Sequence, residues 1–321
     1  MIRYLADRFW QSLLVLAVMS FVIYGLIGLM PGDPIDLMIS ADPRLSSEDA
    51  TRLKELYGLD RPLLDRYVAW LGAALAGDLG YSRLQARPVL AALAPALGNT
   101  ARLMTFSLVL SLAIALPAGI IAAYRRHSWI DHGISVAAFV GISTPPFWTA
   151  LVLIVIFAVL LGILPAGGSG GGGVSGWFED ARFLVLPVAS LTLASIGGYL
   201  RYVRASMIET LSRDWIRTAR AKGLSERRVI VGHALRPALI PVATILGVDF
   251  GALFSGALVT ETVFAYPGMG RLIYDAVLGN DYNLALAALL LATAFTLAGN
   301  LLADLAYVLL DPRISLPGQA R

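Results

Sequence analysis

Six stretches of this chain are apolar for long enough to leave water: residues 10–30, 103–124, 134–164, 183–203, 238–260 and 284–310. A bilayer has a hydrocarbon core about 30 Å thick, which an α-helix crosses in about 20 residues. Inside it a backbone must satisfy its own hydrogen bonds, and helices do so within one segment. The chain therefore reads as an all-α membrane protein with six transmembrane helices. Composition agrees, with 57% hydrophobic and 15% charged residues, against about 45–50% and about 25% in soluble domains. The first run, Phe9 to Met30, follows Arg3 and Arg8 as a signal peptide would. It has spanning length rather than about 7–15 residues, and no A-x-A site follows, so it reads as an uncleaved span. The third run contains Pro145-Pro146, which predicts a kink, a tilt or a broken helix.

Orientation follows from Lys and Arg in short loops. Arg3 and Arg8, Arg125 and Arg126, the residues 201–236 and Arg313 with Arg321 fall on one side if six spans alternate. Both termini are then cytoplasmic. The resulting plan is an N-terminal transmembrane helix (1–30), an extracytoplasmic helical insert (31–98), and a five-helix core (99–314) with a cytoplasmic segment at about 205–236. The net charge of +3 sits at the ends of apolar runs, which argues for topology and against nucleic acid. With no Cys and three His, and with no HExxH, thiolate and zinc-hydrolase chemistry find no support. The stretch GGSGGGGVSG (167–176) has no GK[ST] after it, so it is a loop rather than a phosphate cradle.

Residues 201–236 hold nine Lys or Arg against three acids. Two runs of good helix formers, Asp214 to Lys222 and Glu226 to Leu235, flank Gly223 as a C-cap glycine would be flanked. Ala219 and Gly223 lie four apart on one face, with Thr218 and Ala221 beside them, so another protein could approach closely. Ile216, Leu224, Val229, Ile230 and Leu235 are predicted to need cover from a partner or the membrane interface. Within the fifth span, Asp249 is an ionisable residue at depth. It should face a water-filled pathway or a cation, or make a structural hydrogen bond. Phe250 and Phe254 stand beside it as candidate pathway residues. Asp304, near Asn300, reads as structural.

The pattern small-small-x-x-x-Gly at Thr218, Ala219 and Gly223, between two short helices and ahead of Leu-Ile-Pro, resembles the "EAA" cytoplasmic signature of ABC importer permeases. Arg217 stands where the usual Glu would be, and His233-Ala-Leu-Arg-Pro replaces the usual Ile-x-Leu-Pro end, as in the peptide and nickel branch. GLMPGDPIDLM (28–38), YGLDRPLLDRYVAWLGAALAGDLGYS (57–82), GISTPPFW (141–148), ETVFAYPGMGRLIYDAV (261–277) and LADLAYVLLDPRI (302–314) extend the resemblance along nearly the whole chain. They are similar to the B permease subunit of dipeptide and oligopeptide importers.

The resemblance implies a type I ABC importer permease fold in a bacterial or archaeal plasma membrane. It also implies a sibling permease, two cytoplasmic ATPase subunits that hold the ATP and Mg, and an extracytoplasmic peptide-binding protein. Arg217, Thr218, Ala219, Ala221, Lys222, Gly223 and Leu224 would then engage an ATPase. Glu261, Pro267, Gly268 and Met269 would belong to a loop near the outer mouth, as a gate, a docking surface or a plain turn. No Walker A sequence occurs, so ATP hydrolysis falls to partner chains and this chain is a transport subunit rather than an enzyme. Nickel, glutathione or another small solute are alternative cargoes. An ion-coupled secondary transporter is the alternative of another class, with Asp249 and Pro145-Pro146 in its favour.

Overall fold

Apolar side chains all round leave the first helix, α1 (Ile2–Gly28), with no water-seeking face. In the computed structural model, which describes residues 2–29, 61–169, 177–253 and 257–310, Phe9, Trp10, Leu14 and Leu26 of α1 are exposed. Ile23 and Ile27 are buried in a cluster with residues of α13 (Tyr282–Leu310), and Ser20 is buried as well. An outward apolar surface of this kind suits lipid. The second helix, α2 (Leu63–Leu75), lies across the end of α1. Its Tyr67 packs edge-on against Phe21 and Tyr24 at 5.2 and 5.5 Å, and its hydroxyl shares a 2.7 Å hydrogen bond with Ser20.

A small hairpin follows, β1 (Tyr81–Ser82) against β2 (Arg87–Pro88). Asp281 joins it to α13. The buried carboxylate accepts from the Ser82 hydroxyl at 2.6 Å and from the Leu84 N–H at 3.0 Å, and its other oxygen accepts from the Leu284 N–H in the first turn of α13. Beyond the hairpin α3 (Val89–Tyr124) runs for 36 residues, about 54 Å at a rise of 1.5 Å per residue. It passes residue 98 without a break, so the insert read from the sequence and the core share one element there.

The third apolar run is two helices rather than one. Pro145 takes an extended conformation (φ −59°, ψ 133°) between α4 (Trp129–Ser143) and α5 (Pro146–Leu153), and a π-helix (Ile154–Leu160) continues α5. The two arms meet at 99°. Proline removes a backbone donor and drives its predecessor out of the helical region, so a Pro-Pro pair ends one helix and starts the next. The fourth run forms α6 (Trp177–Leu211), which packs along α3 and α4.

Among the described residues, four helices are long and apolar enough to cross a membrane, or five if the bent pair counts as one. The fifth run forms α10 (Ile240–Leu253), whose 14 residues cover about 21 Å. The ends of the bundle are distinct. At one, Ala123 of α3 and Val203 and Met207 of α6 share an apolar cluster with Ile216, Val229 and Val242. At the other, Leu103 and Leu186 cluster with Phe264 and Tyr266, and the Gly168 N–H donates to the Phe264 carbonyl at 2.8 Å.

Candidate functional site

The basic segment folds as α7 (Asp214–Ala221), a turn at Gly223, and α8 (Glu226–Val229), which a π-helical turn (Ile230–Ala234) joins to α9 (Leu235–Ala238). The turn is a Schellman cap. Gly223 N–H donates to Arg220 O at 2.9 Å and Leu224 N–H to Ala219 O at 3.4 Å, with Gly223 at φ +78°. That left-handed conformation is what glycine adopts without a Cβ penalty. Arg220 then reaches Glu226 across the turn, Nε to Oε1 at 2.9 Å, so the two helices are also held by charge.

This α7–α8 elbow has two faces. Ile216, Ala219 and Val229 are buried, and half-buried Leu224, Ile230 and Leu235 pack against them on α6 and α3. The cover expected from a partner or the membrane interface thus comes from the chain's own membrane helices. Arg217, Thr218, Ala221, Lys222 and Gly223 are exposed, as is Trp215, over which the Arg213 guanidinium sits. Ala219 is buried in the same apolar cluster as Val203 and Met207, while the outward face is cationic and small.

One ion pair near the elbow involves Arg204, which the sequence shows only as one of the nine cations of residues 201–236. Arg204 of α6 grips Asp131 of α4 with Nε to Oδ1 at 2.6 Å and Nη2 to Oδ2 at 2.7 Å. Asp131 is buried, also accepts from the His127 N–H at 3.0 Å, and donates its own N–H to the Ser128 hydroxyl. The sequence carries a signal for half of this: Ser128-x-x-Asp131 ahead of an apolar run is a helix-start pattern. Nothing in it points to Arg204.

Asp249 of α10 lines a groove of about 450 Å³ between α3 and α6. Its Oδ2 accepts from the Tyr199 hydroxyl at 2.5 Å. Ser107 and Ser111 of α3 and Ser195 and Arg201 of α6 line the same groove. The fully buried Ser111 Oγ has no hydrogen-bond partner among the described residues. Tyr199 carries no signal in the sequence because it falls among apolar neighbours, and Arg201 reads there only as the first of the cations of residues 201–236. Phe250 lies within α10 beside Asp249 in sequence, and Phe254 lies outside the described residues.

The residues expected near the outer mouth form a tight knot. Between α11 (Leu258–Val263) and α12 (Met269–Leu278), Glu261 is fully buried and accepts from the Thr100 hydroxyl at 2.6 Å and the Arg271 N–H at 3.0 Å. Thr100 in turn accepts from the Met269 N–H at 2.7 Å, and Asn99 donates to the Pro267 carbonyl at 3.0 Å. A carboxylate at a helix N-terminus is favourably placed against the dipole. Gly268 has no room for a side chain, since a Cβ there would lie 2.4 Å from the Glu261 carboxyl carbon. Burial pushes the Tyr266 hydroxyl up to about 12, so it remains protonated and donates to the Asn99 carbonyl at 3.2 Å.

Comparison with known proteins accounts for both ends of the molecule. Residues 1–104 match the N-terminal family of binding-protein-dependent transport system membrane components. The oligopeptide transport system permease protein AppB of Bacillus subtilis (strain 168) is 37% identical over 98% of this chain and 99% of its own length. A protein of Brucella suis biovar 1 (strain 1330) that carries the name of a peptide permease protein is 40% identical over 98% of this chain and all of its own length. A Sinorhizobium fredii protein, named as peptide ABC transporter permease protein y4tP, is 36% identical over 97% of this chain and 98% of its own. Residues 115–316, which include the elbow, the α6 and α10 walls of the groove and the knot from Glu261 to Arg271, match the inner membrane component of binding-protein-dependent transport systems, and the chain belongs to that family.

Proposed function

We propose that this chain is one of two permease subunits in an ATP-driven importer of dipeptides or oligopeptides. Its α7–α8 elbow, on this reading, is the docking element for a cytoplasmic ATPase. The observation that carries the proposal is the division of the elbow into a buried face fixed to α3 and α6 and an exposed face of Arg217, Thr218, Ala221, Lys222 and Gly223. A force applied to the exposed face would reach the membrane helices directly. The ATPase states would bias inward-open and outward-open arrangements through that contact. ATP and Mg would reside in the partner chains, and an extracytoplasmic binding protein would deliver the peptide.

The same reading places six crossings in the inner membrane with both termini cytoplasmic. The bent α4–α5 pair leads from the elbow end, where Asp131 meets Arg204, to the opposite end, where Gly168 meets Phe264. The chain of α10 and α11 returns from Val242 in the elbow cluster to Phe264. Both arrangements support a crossing where length alone is ambiguous. The nine cations of residues 201–236 support a cytoplasmic elbow, and the Asp249 groove is the section of the pathway contributed by this chain. The experiment is to extract the tagged chain in mild detergent and identify what co-purifies. Recovery of a second permease and of ATPases whose hydrolysis rises with peptide and binding protein is the expected result. Recovery of the chain alone, with uptake driven by an ion gradient, would overturn it.

A further inference from the structure

The groove between α3, α6 and α10 carries opposite charges that do not neutralise each other. Asp249 and Arg201 line the same space, yet they form no ion pair. Asp249 has one hydrogen bond, from Tyr199 to Oδ2, and its other oxygen has none among the described residues. Arg201 makes no hydrogen bond or ion pair with any described residue. Ser107, Ser111, Ser195 and Gly198 line the groove with them, beside the apolar side chains of Met104, Leu108, Ile142, Leu191 and Ile245. Charges among membrane helices are costly unless paired or in contact with water or a ligand. A helix bundle that only needed neutrality would have brought the two together. At about 450 Å³ the space falls within the range of small-molecule sites.

We propose that this groove is a transient site for a zwitterion, with Asp249 taking a peptide's ammonium terminus, Arg201 taking its carboxylate terminus, and the partly exposed Ser195 hydroxyl meeting the main chain. The proposal rests on the peptide reading above and deepens it: the permease itself, and not only the binding protein, recognises free peptide ends. Tyr199 is the positioning residue. Its hydroxyl holds one carboxylate oxygen of Asp249 and leaves the other for the ligand.

The chain contains no cysteine, so Ser195→Cys gives it a single thiol inside the groove. In the reconstituted complex, without the binding protein, the alkylation rate of that thiol by a small neutral maleimide is followed on this chain by mass spectrometry. Trialanine is added with free ends, N-acetylated or C-amidated. Free trialanine slows alkylation, and either blocked form requires about tenfold more for the same slowing, the cost of one charge-assisted contact. Adding Arg201→Gln abolishes the effect of amidation and leaves that of acetylation. Adding Asp249→Asn does the reverse. Equal protection by free and blocked peptides, or protection whose dependence on the ends neither substitution alters, overturns the proposal. Ala194→Cys on the same wall serves if the Ser195→Cys complex is not recovered. ATP-driven uptake of a mixture of short peptides by the unsubstituted complex, with its binding protein, is measured alongside. No uptake sinks the peptide reading itself, whereas uptake without end-dependent protection sinks only the zwitterion site.

Discussion

Gly223 and Glu261 show two different reasons for a residue to be irreplaceable. Around Gly223 there is open space, and a Cβ would meet nothing within 4 Å. The constraint is conformational, since φ is +78°, a region that costs a non-glycine residue roughly 1–2 kcal/mol and suits Asn better than most. Gly223→Asn should therefore preserve the elbow, while Gly223→Val should deform it and crowd the exposed face. The expected outcome is normal membrane levels for both variants, with peptide-stimulated ATP hydrolysis abolished in Gly223→Val and retained in part in Gly223→Asn. Full uptake with Gly223→Val would refute the assignment of the elbow to ATPase docking. Glu261 is constrained by what it satisfies. Glu261→Ala leaves the Thr100 hydroxyl and the Arg271 N–H without their acceptor in a buried site, at a cost of about 2–3 kcal/mol. A lower unfolding temperature of the extracted complex, largely restored in Glu261→Gln, is the measurement that checks it.

At the scale of elements, the Asp131–Arg204 pair ties α4 to α6 just before α6 turns into the elbow. Asp131→Asn keeps the bulk of the side chain but leaves a partly buried guanidinium without its counter-ion, worth about 2–3 kcal/mol. The inner end of α6 is then free to move independently of α4. ATP hydrolysis in that variant should lose much of its dependence on peptide and binding protein while the complex still assembles. Unchanged stimulation would show that the pair serves stability alone.

How the elements were legible follows the same physics. Long runs such as 103–124 and 183–203 announce their helices because length and hydropathy are local properties. The Gly223 turn was legible because caps use a short vocabulary of residue types. The burial of Ile216 and Val229 was not, because a sequence shows which residues need cover without showing what supplies it. The same limit hid Arg204, whose partner lies 73 residues away, and Arg201, whose meaning depends on Asp249 across the groove. At Pro145-Pro146 the sequence announces a break, but the 99° angle depends on packing against α6.

For the whole molecule, the decisive quantity is parity. A helix pair bent so sharply could re-enter the membrane and return to the side it left, in which case α6 would deliver the cationic elbow to the exterior. Three contacts argue against this. Asp131, near the start of α4, meets Arg204, near the end of α6, whereas Gly168, after the π-helix, meets Phe264 beside the residues that pack on Asn99 and Thr100 of α3. The bent pair thus begins at one end of α3 and finishes near the other, despite its angle. With single cysteines placed in this cysteine-free chain, an impermeant maleimide applied to intact cells should label Ala76→Cys and Ser169→Cys directly. Arg126→Cys and Ser225→Cys should react only after the membrane is permeabilised. Labelling of Arg126→Cys and Ser169→Cys from the same side would make the bent pair re-entrant and reverse the elbow's orientation. It would thereby remove the ATPase from reach, so this one comparison tests the topology and the transport mechanism together.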